Sequence, residues 1–142
     1  MAGLNRTPTA RDMLYDGVKH VLVEKITYLK ENTIVDVLAG KLPAYASVVG
    51  GGVHVVTAFG DSGTDTLDVG FRDGSSTDDP DGYATLLTIS GVGYIALDEL
   101  AATTNIMQTK DAIVTWRYNG QNNDAAAGEA YLIIEYVTTV GS

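Results

Sequence analysis

Carboxylates are the residues of this chain best placed to do chemistry. Asp61, Asp65, Asp68, Asp73, Asp78, Asp79 and Asp81 follow one another with only Arg72 opposing them. In the segment Asp73-Gly-Ser-Ser-Thr-Asp-Asp-Pro-Asp-Gly82, four of them, Asp73, Asp78, Asp79 and Asp81, could offer the hard oxygens that calcium takes in a turning loop. Their spacing does not match the twelve-residue calcium loop, and the acidic ligand that closes such a loop is missing. A solvated, turn-forming loop is the plainer reading, with a bound cation as its alternative.

Other chemistries find less support. His20 and His54, the two histidines, lie in strand-like stretches with no companion at metal-ligand spacing. No Gly-x-Ser-x-Gly elbow presents a nucleophile, and no carboxylate pair stands out for glycoside hydrolysis. Gly91-Val-Gly-Tyr lacks the third glycine and the long helix of a dinucleotide loop. Gly60-Asp-Ser-Gly63 and Gly50 to Gly52 are not followed by the Lys-Ser or Lys-Thr of a phosphate loop. Tyr118, Asn119, Gln121, Asn122 and Asn123 combine an aromatic ring with amides, the mixture that stacks on a sugar and binds its hydroxyls. Trp116 shares an apolar face with Val114 and is more simply a core residue. No catalytic, cofactor-binding or metal-binding residues are therefore assigned, no cofactor is expected, and the chain reads as a non-enzyme.

Composition narrows the partners. Nine basic against eighteen acidic residues give a net charge of -9, and no basic stretch is present to follow a phosphate backbone, so nucleic acid is not an expected partner. Cysteine is absent, which removes disulfides and thiolate chemistry. No apolar run approaches the roughly 20 residues of a membrane span. The start Met1-Ala-Gly-Leu-Asn-Arg-Thr-Pro lacks the apolar core of a secretory signal, so a soluble, unprocessed chain without a membrane partner is expected.

The elements that must position these residues are strands. Residues 1 to 16 hold Pro8, scattered charges and no sustained period, and read as an extended N-terminal arm ahead of one domain over 17–142. His20 to Tyr28 and Thr33 to Leu38 read as two strands joined by a short polar turn. Pro43 makes the start of Leu42 to Val49 an edge, a strand beginning or a connector. Gly50 to Gly52 then imply a bend, a bulge or a close backbone approach before Val53 to Phe59. Asp65 to Gly70, Tyr83 to Ile89 (entered through a turn at Pro80-Asp-Gly82) and Gly91 to Leu97 are short strands. Asp98 to Thr103 is the candidate helical turn, with Asp98 as its cap.

Ala112 to Tyr118 has period two, with Val114, Trp116 and Tyr118 on one face and Ile113, Thr115 and Arg117 on the other. Across the polar loop Asn119 to Gly128, the economical pairing is an antiparallel hairpin of 112–118 with 130–137. The closing run Ala130-Tyr-Leu-Ile-Ile-Glu-Tyr-Val137 is hydrophobic on both sides of an extended strand. It therefore has to end inside a sheet, at a second packing layer or against another subunit. Eight or nine short strands without long alternating helices predict an all-β, antiparallel β-sandwich with jelly-roll or Greek-key winding rather than a barrel.

The segment Val53-His-Val-Val-Thr-Ala-Phe-Gly-Asp-Ser-Gly-Thr-Asp-Thr-Leu-Asp-Val-Gly70, followed by Asp79-Pro-Asp-Gly-Tyr-Ala84, resembles a pattern in small structural proteins of tailed-phage virions. Val114-Thr-Trp-Arg-Tyr-Asn-Gly and Ala126-Ala-Gly-Glu-Ala-Tyr-Leu-Ile-Ile-Glu-Tyr-Val137 are similar to the closing hairpin of the same group. The resemblance spans roughly residues 50 to 137. It implies a β-sandwich decoration or cement protein, made in the host cytoplasm and seated on the virion capsid surface. It further implies the major capsid protein as partner and a homo-oligomer, frequently a trimer in that group. A fibre or tail component, or a carbohydrate-binding β-sandwich module, is the alternative.

Overall fold

Segments rich in β-branched and aromatic residues, cut by Gly, Asp, Asn and Pro, extend and pair because each can bury only one face alone. The computed structural model describes residues 18–60, 63–74, 78–101 and 109–138. Among these residues, eight strands form: β1 (His20–Thr27), β2 (Ile34–Asp36), β3 (Ser47–Thr57), β4 (Thr66–Arg72), β5 (Asp79–Thr88), β6 (Gly93–Ala96), β7 (Ile113–Asn119) and β8 (Glu129–Val137). A single 3-10 turn, Tyr28–Lys30, follows β1. The arm expected at 1–16 lies outside the described residues.

The strands build two four-stranded sheets, β1-β8-β3-β6 and β2-β7-β4-β5, with every strand-to-strand pairing antiparallel. This is the expected β-sandwich. Its pairing is nested: β4 with β5, β3 with β6, β2 with β7 and β1 with β8, alternating between the two sheets. Leu22, Ile26, Val53, Val55, Leu132 and Ile134 from one sheet face Leu67, Val69, Phe71, Tyr83, Val114 and Trp116 from the other, all in one buried core. Phe59 meets Tyr118 edge-on with ring centroids 4.8 Å apart, and Phe71 lies tilted on Tyr83 at 5.4 Å.

The hairpin expected between 112–118 and 130–137 does not form. β7 pairs with β2 and β4, whereas β8 lies between β1 and β3 in the opposite sheet. Alternation shows which face of a strand is apolar, not which strand lies beside it, and the polar run between β7 and β8 is long enough to span the roughly 10 Å between packed sheets. That run is tied down on the way: Gly60 N–H donates to the Ala127 carbonyl at 3.0 Å, and Ala126 N–H donates to the Gly60 carbonyl at 3.1 Å. The same step occurs after β1, where the 3-10 turn carries the chain across to β2 in the other sheet.

The two strands read on either side of Gly50 to Gly52 are one strand, β3, which runs through the triplet with a register shift between Val48 and Gly50. Gly51 has φ +119, and a Cβ there would lie 2.1 Å from the Ile133 carbonyl oxygen. The bulge and the close backbone approach are thus both present, and only glycine meets both. The turn expected at Pro80-Asp-Gly82 lies within β5 instead. Gly70 is the one residue between Val69 and Phe71, whereas Pro80 to Tyr83 all lie between their partners Asp79 and Ala84. β5 is a sheet edge, where a proline's missing N–H costs no ladder bond.

The helical turn expected over 98–103 is a bend and turn through 98–101, and 102–103 lie outside the described residues. Asp98 caps no helix; its carboxylate accepts the Thr85 N–H at 3.0 Å. The chain there joins the sheets, because Leu97 N–H donates to Gly51 and Glu99 N–H to Tyr83.

Candidate interaction surface

The acidic segment directs its carboxylates at its own backbone. Asp78 Oδ1 accepts the N–H groups of Asp73 at 2.7 Å and Gly74 at 3.2 Å, closing the turn from within. The Asp79 carboxyl, hydrogen-bonded to that of Asp81, raises the Asp81 pKa, and partial burial adds to the rise. A carboxyl whose ionisation is disfavoured in this way is a poorer cation ligand than an independent one. Among the described residues no three His, Cys, Asp or Glu side chains group as metal ligands. Residues 75–77 of this loop lie outside the description.

The histidines stay apart from any such group. His20 stacks on Tyr136 with centroids 5.3 Å apart, and His54 sits on the outer side of β3, opposite Tyr131 on β8 and Tyr94 on β6. The aromatic and amide group at 118–123 is taken apart by the fold. Tyr118 is fully buried, its hydroxyl donating to Asp65 Oδ1 at 2.5 Å. Asn119 donates to Asp68 at 3.1 Å on the outer side of the second sheet. Asn123 accepts a hydrogen bond from Asn32 at 2.7 Å, and Gln121 and Asn122 are exposed. Without the Tyr118 ring, this group has no stacking surface. Trp116 is buried, as its shared face with Val114 predicts.

What the structure does bring together is the outer face of the sheet β1-β8-β3-β6. Inward residues of β8, Ala130, Leu132 and Ile134, are fully buried, so Tyr131, Ile133 and Glu135 point outward. Registers align them in rows: Lys25, Tyr131, His54 and Tyr94 in one, and Val23, Ile133, Gly52 and Ala96 in the next. Val21 is 56% exposed, Val23 49%, Tyr94 56% and Tyr131 37%. Tyr94 lies across Gly52, where a Cβ would come within 2.7 Å of the ring. The result is a stripe of aliphatic and aromatic surface.

Charge on this face is cancelled locally. Lys19 pairs with Glu135 at 2.9 Å and Lys25 with Glu129 at 2.7 Å, bracketing the stripe at its two ends. A chain of net charge -9 thus has a locally neutral, apolar face. Contiguous exposed apolar surface of this kind marks contact sites in soluble proteins. Half of this face was visible in the sequence, in the two-sided hydrophobicity of 130–137. The other half, Val21 and Val23, was hidden because β1 sets polar His20 and Glu24 at the same parity as buried Leu22 and Ile26, so its alternation does not mark the outer side.

The second sheet's outer face carries Arg72, whose guanidinium donates to both Asp36 oxygens, at 2.9 and 2.5 Å, across β7. That bidentate pair holds the Asp36 carboxyl below its usual pKa, chiefly through the hydrogen bonds.

No protein-family model and no curated protein matches the chain. Solved structures do. A chain in the capsid of Ralstonia phage GP4 is 21% identical with TM-score 0.67, the match covering 98% of this chain and 94% of that one. A chain in the acid-stable capsid of Helicobacter pylori bacteriophage KHP30 is 16% identical with TM-score 0.60, covering 86% and 89%. A chain in the asymmetric unit of the cyanophage Pam1 capsid is 19% identical with TM-score 0.58, covering 95% and 99%. At these identities the likeness is one of fold.

Proposed function

We propose that this chain is a noncatalytic structural protein of a tailed-phage virion that binds and stabilises the capsid surface as a decoration protein. The observation that carries the reading is the near-complete, two-way match to single chains of three phage capsid structures. Coverage from both sides means that those chains are single units of about this length, not large shell subunits containing such a domain. The nested pairing of the strands supports a jelly-roll winding, a double sheet that presents one outer face as a unit.

In this reading, residues 17–142 form the domain, residues 1–16 the arm, and the neutral stripe of Val21, Val23, Tyr131 and Ile133 seats on the major capsid protein. Its spread across β1, β8 and β3 favours a broad protein surface over a small molecule, and its paired charges avoid setting uncompensated charge against the lattice. Copies of the chain associate at β1, an edge strand that pairs with β8 through an unbroken register from His20 to Thr27 and exposes the ladder groups of its other side. Repeated weak attachments across a lattice then sum to firm binding.

The test mixes purified protein with capsids lacking it and reads attachment by electron microscopy. Ordered, stoichiometric density on the shell is expected, and Val21→Glu with Val23→Glu should reduce occupancy at least about tenfold, a loss of about 1.4 kcal/mol. Absence of lattice-ordered density defeats the decoration reading, and density at the tail or fibres alone replaces it. Full occupancy by the folded double variant defeats the assignment of the face.

A further inference from the structure

A cleft of about 280 Å³ opens where the 3-10 turn after β1 meets the loop after β7, lined by Tyr28, Leu29, Glu31, Asn123 and Ala125. Its rim is held in an unusual way. Asn32 and Asn123, far apart in sequence, both have left-handed backbones, at φ 57 and 54, and are joined side chain to side chain. Asn32 also donates to the Gly120 carbonyl at 2.9 Å and accepts the Gly120 N–H at 3.0 Å, while its own N–H donates to Tyr118 at 2.7 Å. Glu31 Oε2 accepts the Ala125 N–H at 3.3 Å. Asparagine adopts this left-handed backbone more readily than other non-glycine residues, and the bond between the two side chains fixes the rim of the cleft.

The chemistry of the lining selects a ligand class. Because Asn123 gives its oxygen to Asn32, its NH₂ group is turned to donate elsewhere. Glu31 brings a carboxylate acceptor fixed to the loop, and Tyr28, half-buried against the core, brings an aromatic surface. The Glu31 charge and the net charge of -9 disfavour an anion. No set of three metal-ligating side chains occurs among the described residues. An aromatic ring beside one donor and one acceptor matches a neutral pyranose, whose C–H face stacks while neighbouring hydroxyls both give and accept hydrogen bonds.

We propose that the cleft between the 3-10 turn and the loop after β7 binds one neutral pyranose ring, the terminal unit of a glycan, through Tyr28, Glu31 and Asn123. The site lies apart from the stripe on the first sheet and does not depend on how the chain meets a capsid.

The experiment titrates the full chain with methyl glycosides of glucose, galactose, mannose, rhamnose and N-acetylglucosamine, following backbone amide resonances by NMR. One glycoside should give saturable shifts at Gly120, Asn123 and Ala125 with a dissociation constant of about 1 mM or tighter. Asn123→Gly keeps the left-handed backbone without strain while removing the amide, and should weaken binding at least about tenfold, as should Tyr28→Ala. If Tyr28→Ala fails to fold, Asn123→Gly carries the test alone. No saturable shift with any glycoside, shifts elsewhere on the molecule, or undiminished affinity in Asn123→Gly overturns the proposal. Binding of free reducing sugars but not of methyl glycosides overturns the assignment to a glycan end.

Discussion

Tyr118 and Tyr83 are both fully buried phenols with opposite accounts of their hydroxyl groups. The Tyr118 hydroxyl donates a hydrogen bond to the buried Asp65 side chain, whereas the Tyr83 hydroxyl has no hydrogen-bond partner, and burial together with the nearby Asp79 charge pushes its pKa well up. Tyr118→Phe should therefore cost about 1–3 kcal/mol in denaturant unfolding, because it takes a donor from a buried carboxylate. Tyr83→Phe should be neutral or stabilising by up to about 1 kcal/mol, since only an unsatisfied group is lost. Thr115, 2% exposed with an unpartnered Oγ1, follows the same logic: Thr115→Val should gain about 1 kcal/mol. Equal losses for the two tyrosine variants would contradict this account. Sequence placed Tyr118 on the apolar face beside Trp116 yet also offered its ring to a sugar. Composition cannot choose between these, because the bond to Asp65 joins residues far apart in the chain.

At the scale of the strand, β3 depends on Gly51 and β5 on its carboxylates. Gly51→Ala should destabilise by about 3 kcal/mol or more, since the new Cβ strikes the Ile133 backbone and the positive φ is closed to alanine. On β5, the contact of Asp81 with Asp79 sets a pH dependence with a definite sign. The Asp81 pKa is raised in the fold, so the fold is favoured at pH below the unfolded carboxylate value of about 3.9, and that advantage is lost as pH rises through the higher folded value. Asp81→Asn should thus raise the Tm at pH 7, with the gain shrinking on acidification; a gain independent of pH would refute the pairing. Asp36 behaves oppositely. Its lowered pKa gives stability above the unfolded value that is lost as pH falls through the folded one, so Arg72→Met should remove part of the acid transition. Strand identities were legible because period and turn residues are local. The pairing of β7 with β8 was misread because partner choice is decided by a core that no local pattern describes.

For the whole molecule, net charge and winding have separate consequences. With -9 spread around a neutral stripe, attachment through that stripe should strengthen with added salt, as repulsion between neighbouring copies is screened. The sandwich class could be read from short strands and their turn residues, whereas the stripe required the registers that bring β1, β8 and β3 together. Those registers also order events in time. Since β8 occupies the place between β1 and β3, with His20 paired with Tyr136, β1 waits for a strand more than a hundred residues later in the chain. Such long-range closure implies folding in roughly milliseconds to seconds. In the proposed reading it also means that any fragment lacking the strand that carries Tyr131 and Ile133 has no complete stripe to dock, so truncation ahead of β8 yields chains that do not compete for sites on a shell.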